Sequence, residues 1–342
     1  MAIGAFAQVA WHNPQPGRNV HNQGWNEDGG NYWRLPLRAK GLVRDAVWNL
    51  ACNSAGLVIR FNTDAQDIRV KYTVTGPLSM PHMPATGVSG VDLYRDSDGA
   101  FCFGSYSFGD TIRYVYHIDR NNREGTEEYT LYLPLYNGVE CLEIGVPEGR
   151  DFAFTPAEEV KPIVLYGTSI AQGACASRPG MAWGNIVSRD LRLPLINLGF
   201  SGNGKLEKKV LDLIIEQDAC AYVVDCMANL TDRSGEDVTN LVVNAVRQIR
   251  SRRTAPILLV EHAGYSNGGS NQGQHDAYMN VNKAQARAFA LLTEAGVERL
   301  YYLSREEIAM HPDSWVDYVH PSDFGMVQQA RAVENVLKDI IR

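Results

Sequence analysis

Pro162-Ile163-Val164-Leu165-Tyr166-Gly167-Thr168-Ser169-Ile170-Ala171-Gln172-Gly173 runs from an apolar stretch directly into a turn. Four apolar residues behind a proline read as a short buried strand over 162–166, and the glycine, threonine and serine that follow end it. Toward the C-terminus the same alternation repeats. A helix is expected over 182–191 and a strand over 195–198. The next helix, over 206–216, places Leu206, Val210, Leu213 and Ile214 on one face. A strand over 221–224, a helix over 238–252 and a strand over 257–260 follow. The series closes with a helix over 277–295, a strand over 300–303 and a helix over 324–341. Five strands alternating with helices predict an α/β domain, a parallel sheet flanked by helices in three layers. Ligands meet such sheets at the carboxyl ends of the strands, so chemistry is sought there.

Toward the N-terminus the pattern changes. Residues 147–162 hold three prolines and several charges and read as a linker. Before them, Ile68, Val70, Tyr72 and Val74 alternate with Arg69, Lys71, Thr73 and Thr75, the period of a half-buried strand. Leu57, Ile59 and Phe61 alternate likewise. An apolar run over 131–136 meets Asn137-Gly138 and then a second run over 139–146, which reads as a hairpin. No helical period is visible in this half. The expected layout is an all-β sandwich or jelly roll over 1–150, a linker over 151–161, and the α/β domain over 162–342.

The bulk properties narrow the partners. The chain has 342 residues, 45% hydrophobic and 21% charged, with a formal net charge of −7. An acidic chain of this kind is not expected to bind nucleic acid or an anionic membrane surface. The longest apolar runs fall far short of the roughly 20 residues that span a bilayer. The N-terminus shows no basic-then-apolar leader pattern. Cys52, Cys102, Cys141, Cys175, Cys220 and Cys226 are scattered, with no Cys-x-x-Cys and no Cys/His cluster, so no zinc site and no cofactor is expected. Cys220 and Cys226 bracket one strand and would lie about 20 Å apart, too far for a disulfide.

Four segments at strand ends hold complementary chemistry. Ser169 sits on a tight turn after the first strand, where backbone N–H groups can back it. The second strand ends in Asn197-Leu198-Gly199-Phe200-Ser201-Gly202-Asn203-Gly204, whose glycines leave their N–H groups unobstructed. The third ends in Asp225-Cys226-Met227-Ala228-Asn229, and the Asn229 amide could donate to an oxyanion or cap a helix. Asp317-Tyr318-Val319-His320 puts a carboxylate three residues before an imidazole, close enough to fix its tautomer. Any one of these can be a plain turn; together, in this order, they point to acyl transfer.

Other residues leave alternatives open. His311 has Ile308 three residues before it and lacks the carboxylate. His262, after the fourth strand, could line a pocket or be a satisfied strand-end histidine. His82, in Met80-Pro81-His82-Met83-Pro84, could reach the site or lie in a simple connection. Trp11, Trp25, Trp33 and Trp48 crowd the N-terminal stretch and are expected mainly in the sandwich core, with sugar stacking as the alternative.

The combination Ser169, Gly202, Asn229 and Asp317/His320 resembles the SGNH, or GDSL-like, hydrolases over 161–342. The resemblance implies Ser169 as nucleophile, His320 as base and Asp317 as its partner. It further implies an oxyanion hole from the Ser169 N–H, the Gly202 N–H and the Asn229 amide. Gly199 is the alternative to Gly202. Thr168 stands where the family has Asp, and Met227-Ala228-Asn229-Leu230 replaces its usual Gly-x-Asn-Asp. A β domain ahead of such a domain is similar to bacterial carbohydrate acetylesterases, which implies a periplasmic or secreted setting; His82 and His262, by their positions, are the candidate substrate contacts. Alternatives are a thioesterase or lysophospholipase, for which the loop over 264–274 is too polar, and a non-catalytic glycan-binding protein.

Overall fold

The apolar stretches of the second half pair as one parallel sheet. Ile163–Gly167, Leu195–Gly199, Ala221–Asp225, Ile257–Val260 and Leu300–Leu303 lie in the spatial order second, first, third, fourth, fifth. The computed structural model describes residues 8–14, 18–25, 31–120, 123–157 and 159–341. Gly167, Gly199 and Asp225 pair in register and end three strands at one level. The chain reverses direction across the sheet beside Gly167, the position where such sheets open a crevice.

Alternation along the strands sorts residues onto two faces. Val164, Tyr166, Ile196, Leu198, Val224 and Leu259 share a core with Lys208–Ile214, Gly235–Arg250 and Gln272–Glu294. Ile163, Leu165, Leu195, Val223, Leu258 and Val260 share another with Trp183–Leu191 and Asp323–Ile340. The expected three layers are therefore present. The helix expected over 277–295 begins earlier, at Gln272, because the Asn271 side chain accepts from the Gln274 N–H at 3.1 Å and caps it. Residues 272–274, read as loop, belong to that helix.

The first half is a sandwich of two antiparallel sheets. One runs Val9–His12, Val139–Pro147, Asp67–Val74, Ile112–His117, Gly104–Ser107. The other runs Phe152–Phe154, Val58–Thr63, Glu127–Tyr132, Asp92–Arg95, Ala100–Cys102, with Val20–His21 added beside Val58–Thr63. The alternating residues face inward as their period requires: Leu57, Ile59, Phe61, Ile68, Val70 and Tyr72 are buried in one core.

Three readings are corrected here. The Asn137-Gly138 hairpin is absent, because Glu127–Tyr132 and Val139–Pro147 belong to different sheets. The run between them is buried without alternation, Leu135 packing into the α/β core instead. Asn137 itself is buried. Its amide donates to Ser89 Oγ, Pro77 O and Gly76 O, and its carbonyl accepts from the Gly76 N–H. Phe152–Phe154, read as linker, pairs with Val58–Thr63 as an edge strand. Finally, Asp45–Ala51 is a helix that buries Val47, Trp48 and Ala51. Its two turns are too short to show a period.

That helix also relocates the tryptophans. Trp25 and Trp48 are buried against Val210, Leu213 and Ile214 of the α/β layer, with Trp33 packed on them, and not in the sandwich core. Trp11 is partly exposed with the Lys71 ammonium 3.9 Å over its ring. Trp25 and residues 31–51 thus lie on the outer face of the second half, and Arg34 stitches the two halves together. Buried completely, its guanidinium donates to Leu50 O and Gly199 O, each at 2.6 Å, and to Asn53 O at 3.0 Å. Burial lowers its pKa to about 9, still charged at neutral pH. No helix among the described residues is long and apolar enough to cross a membrane.

Candidate active site

Ser169 is the first residue of a one-turn helix, Ser169–Gln172, immediately after the first strand. Thr168 caps that turn, its hydroxyl accepting from the Ile170 N–H at 3.3 Å, so the threonine supplies a cap oxygen where the resemblance expects aspartate. Ser169 Oγ lies 3.0 Å from His320 Nε2. His320 Nδ1 lies 2.7 Å from Asp317 Oδ2. The other carboxylate oxygen, Oδ1, accepts the N–H groups of Val319 at 2.8 Å and His320 at 2.7 Å. The three-residue spacing thus folds the turn around the carboxylate and presses it against the ring. Burial acts to raise the Asp317 carboxyl, but the bonds from the His320 ring, its amide and the Val319 amide outweigh burial and hold it below its usual value.

The two glycines of the second strand end differ in what their N–H groups do. The Gly199 N–H donates to Asn197 Oδ1 at 2.8 Å and is committed. Glycine is required there because a β-carbon would collide with the Gln172 backbone. Gly202 stands third in the turn from Phe200 to Asn203, with φ +68, exposed and with open space on its β-carbon side. Among the described residues its N–H has no partner. Gln172 sets the position of this turn. Its carbonyl accepts the Ser201 N–H at 3.1 Å, and its amide donates to Asn53 Oδ1 and Leu135 O, each at 3.1 Å. Asn229 lies on the short helix Met227–Asn229, and its Oδ1 accepts the Gly204 N–H at 3.0 Å. That bond orients the amide and leaves Nδ2 as its donor.

His82 reaches across from the sandwich: its ring centroid is 5.4 Å from that of His320. The short helix Ala85–Val88 beside it docks on the second half, the Thr86 hydroxyl donating to Ser177 O at 2.7 Å. The same segment is gripped from further out. Buried Asp92 accepts the Gly180 N–H at 2.7 Å and Arg178 Nη1 at 2.8 Å. Its inner end is tied to the imidazole turn, the Cys175 N–H donating to Pro321 O at 3.1 Å.

His262 behaves differently. It is buried at 2% exposure, its Nδ1 accepts the Gly264 N–H at 2.9 Å, and burial drives its pKa down to about 3, so it is neutral. Its ring packs on Tyr265 at 4.5 Å. Tyr265 in turn reaches the Thr231 hydroxyl at 3.3 Å and the Tyr318 ring at 5.3 Å. The exposed surface at this corner belongs to Tyr318, which is 49% exposed. Tyr265, Tyr318, Gln172 and Cys175 escaped the sequence reading. Tyr318, one residue after Asp317, carried the one local signal that could have found it.

Two family models cover nearly the whole chain. Residues 160–338 match the GDSL-like lipase/acylhydrolase family. Residues 9–152 match the N-terminus of SGNH-hydrolase-type esterases, a model named for a Gly-x-Asp-Leu-Tyr pattern that stands here as Gly90-Val91-Asp92-Leu93-Tyr94. A GDSL-like lipase from Bacteroides ovatus is 30% identical, with 97% of this chain and 98% of that one covered at a TM-score of 0.88. A salicylyl-acyltransferase, SsfX3, from a tetracycline biosynthetic pathway is 18% identical, with 98% and 99% covered at a TM-score of 0.76. A family two carbohydrate esterase from Cellvibrio japonicus is 13% identical, with 98% and 99% covered at a TM-score of 0.57. The last two are likenesses of fold. No curated protein matches the chain.

Proposed function

Because this chain belongs to the GDSL-like lipase/acylhydrolase family, and is by that membership a carboxylic ester hydrolase, we propose that it is a serine esterase that removes acyl groups, chiefly acetyl, from carbohydrate. The observation that carries the reading is the continuous line of hydrogen-bond contacts from Asp317 through His320 to Ser169. In this reading Ser169 Oγ attacks the ester carbonyl while His320 Nε2 takes its proton. Asp317 holds the ring in the tautomer that keeps Nε2 free and stabilises the imidazolium. The oxyanion is met by the N–H groups of Ser169 and Gly202 and by Asn229 Nδ2. Gly202 is preferred to Gly199 because the Gly199 N–H is committed to Asn197. His320 then protonates the leaving alkoxide, and water releases the acyl group by the reverse path.

Carbohydrate as the alcohol is supported by the surroundings. Tyr318 offers an exposed ring beside Asp317, with the Thr231 hydroxyl linked through Tyr265, and rings of this kind stack on pyranose faces. The loop from Ser266 to Asn271 contains only Ser, Asn and Gly. His82 approaches from the sandwich side as a contact for substrate. The fold is similar over the full length to that of the Cellvibrio japonicus esterase. The test is release of acetate from acetylated xylan, mannan and pectin, run beside acetyl-CoA and long-chain acyl-CoA. Acetate from at least one polymer is expected; activity on acyl-CoA alone would overturn the carbohydrate part.

A further inference from the structure

Four side chains able to bind a metal ion meet beside the proposed nucleophile, although no sequence spacing connects them. One ligand atom from each of His82, Cys175, Asp317 and His320 lies within 4.8 Å of all the others. They come from three segments that the fold locks together. His82 rides on the sandwich loop that docks through Thr86 onto Ser177. Cys175 lies two residues before Ser177, and its N–H holds Pro321 O next to His320. Asp317 and His320 are the pair already bonded at 2.7 Å.

We infer that this cluster is a binding site for a borderline divalent cation, zinc in the first instance, and that the bound ion shuts off the ester hydrolysis proposed above. The inhibition rests on that proposal; the binding does not. The donor set is two imidazoles, one thiolate and one carboxylate, the mixture that selects zinc over magnesium or calcium. Tetrahedral zinc holds such ligands at about 2.0–2.3 Å, which puts them roughly 3.5 Å apart. The widest separations must therefore close by about 1 Å, and His82, exposed on its loop, is the member free to move in; the 2.7 Å contact of Asp317 with His320 Nδ1 opens if that nitrogen binds the ion and persists if Nε2 does.

The inhibition follows from the proton positions. Zinc takes a lone pair from His320 through one ring nitrogen. If that nitrogen is Nε2, the base itself is occupied. If it is Nδ1, the proton there moves to Nε2, and the ring then donates toward Ser169 instead of accepting from it. Both leave Ser169 without a base. Cys175 binds as thiolate, its proton passing to solvent, and the charge of the ion offsets the cost of forming a thiolate beside Asp317. No oxidation or reduction is involved.

Turnover of p-nitrophenyl acetate should fall to near zero in saturating zinc and return in full with a chelator. Cys175→Ser should keep the chelated rate and raise the half-inhibiting zinc concentration by roughly 100-fold or more, since a direct ligand contributes at least as much as the outlying partners of a metal site. His82→Ala, scored against its own chelated rate, should shift it likewise. Cobalt supplies a readout independent of turnover. Ser169→Ala is expected to bind cobalt with a near-ultraviolet thiolate-to-metal band, and Cys175→Ser to lack that band. Equal zinc sensitivity in wild type and Cys175→Ser, or cobalt without a thiolate band, would overturn the site. Loss of turnover by Ser169→Ala with the band retained separates the metal site from the identity of the nucleophile.

Discussion

In the α/β half, the groups proposed to act in the reaction sit on the first turns after parallel strands or just before the last helix: Ser169, Gly202, Asn229 and His320. In the sandwich half and its N-terminal excursion, the groups that reach the same place are remote in sequence: Arg34, Asp92 and Thr86 are bonded at the seam, and His82 brings its exposed ring near that of His320. The first set is placed by topology, since every strand of a parallel sheet delivers its turn to one edge. The second set is placed by contacts between halves. Chemistry is therefore concentrated on one side of the seam and positioning on the other, and substitutions on the two sides should fail in different ways.

On the chemical side, apart from the serine itself, the largest expected effect is Asp317→Asn. An amide there can leave the His320 ring in the wrong tautomer, and kcat on p-nitrophenyl acetate should fall by roughly 10³–10⁴ with KM little changed. A fall of less than tenfold would mean that Asp317 only braces the turn through the Val319 and His320 amides. Asn229→Ala comes next. Loss of one oxyanion donor should reduce kcat by roughly 10²–10³. If KM rises while kcat holds, Asn229 contacts substrate and not the developing charge.

The seam should respond in stability first. Arg34→Met strips the donors from Leu50 O, Asn53 O and Gly199 O in a buried place, and should destabilise the fold by about 2–4 kcal/mol in a urea titration. Activity of the folded fraction should drop far less than in Asn229→Ala; a drop as large would place Arg34 on the chemical side of the comparison.

The smallest effect concerns Asp225, at the sheet edge beside Gly167 but bonded to neither Ser169 nor His320. Burial raises its pKa to about 7, and among the described residues its carboxylate accepts from the Gln329 amide at 3.3 Å. Unfolded, it ionises near 4. Between those values the folded state holds a proton that the unfolded state has lost, so this group makes stability fall as pH rises from about 4 to 7. Asp225→Asn should raise Tm at pH 8 by about 2 °C or more and leave Tm at pH 4 almost unchanged, as read by thermal melts. An equal shift at both pH values would remove ionisation as the cause.

The comparison also explains what the sequence could and could not show. The parallel sheet and its edge were legible because each strand is a short apolar run ended by Gly, Asp, Glu or Ser, and the sandwich strands over 58–63 and 67–74 because their alternation is clean. The Asp317-to-His320 spacing was legible because the bond it makes is local. What escaped was set by distant partners. Asn137-Gly138 carries a hairpin signature, yet Asn137 is spent on bonds to residues 76, 77 and 89. Trp25 and Trp48 are apolar wherever they go, and nothing local says which core receives them. The proposed preference for Gly202 over Gly199 rests on which N–H the distant fold leaves to Asn197. His82 and Cys175 lie 93 positions apart by number, and only the docked seam brings them to one ion-sized space.

The central claim is that Ser169 is the nucleophile, and the direct measurement is turnover of p-nitrophenyl acetate by Ser169→Ala beside the wild type, with circular dichroism to show that both are folded. The account predicts that hydrolysis falls by roughly 10⁴-fold or more while the fold is unchanged. A folded Ser169→Ala protein that hydrolyses the ester at the wild-type rate would contradict it.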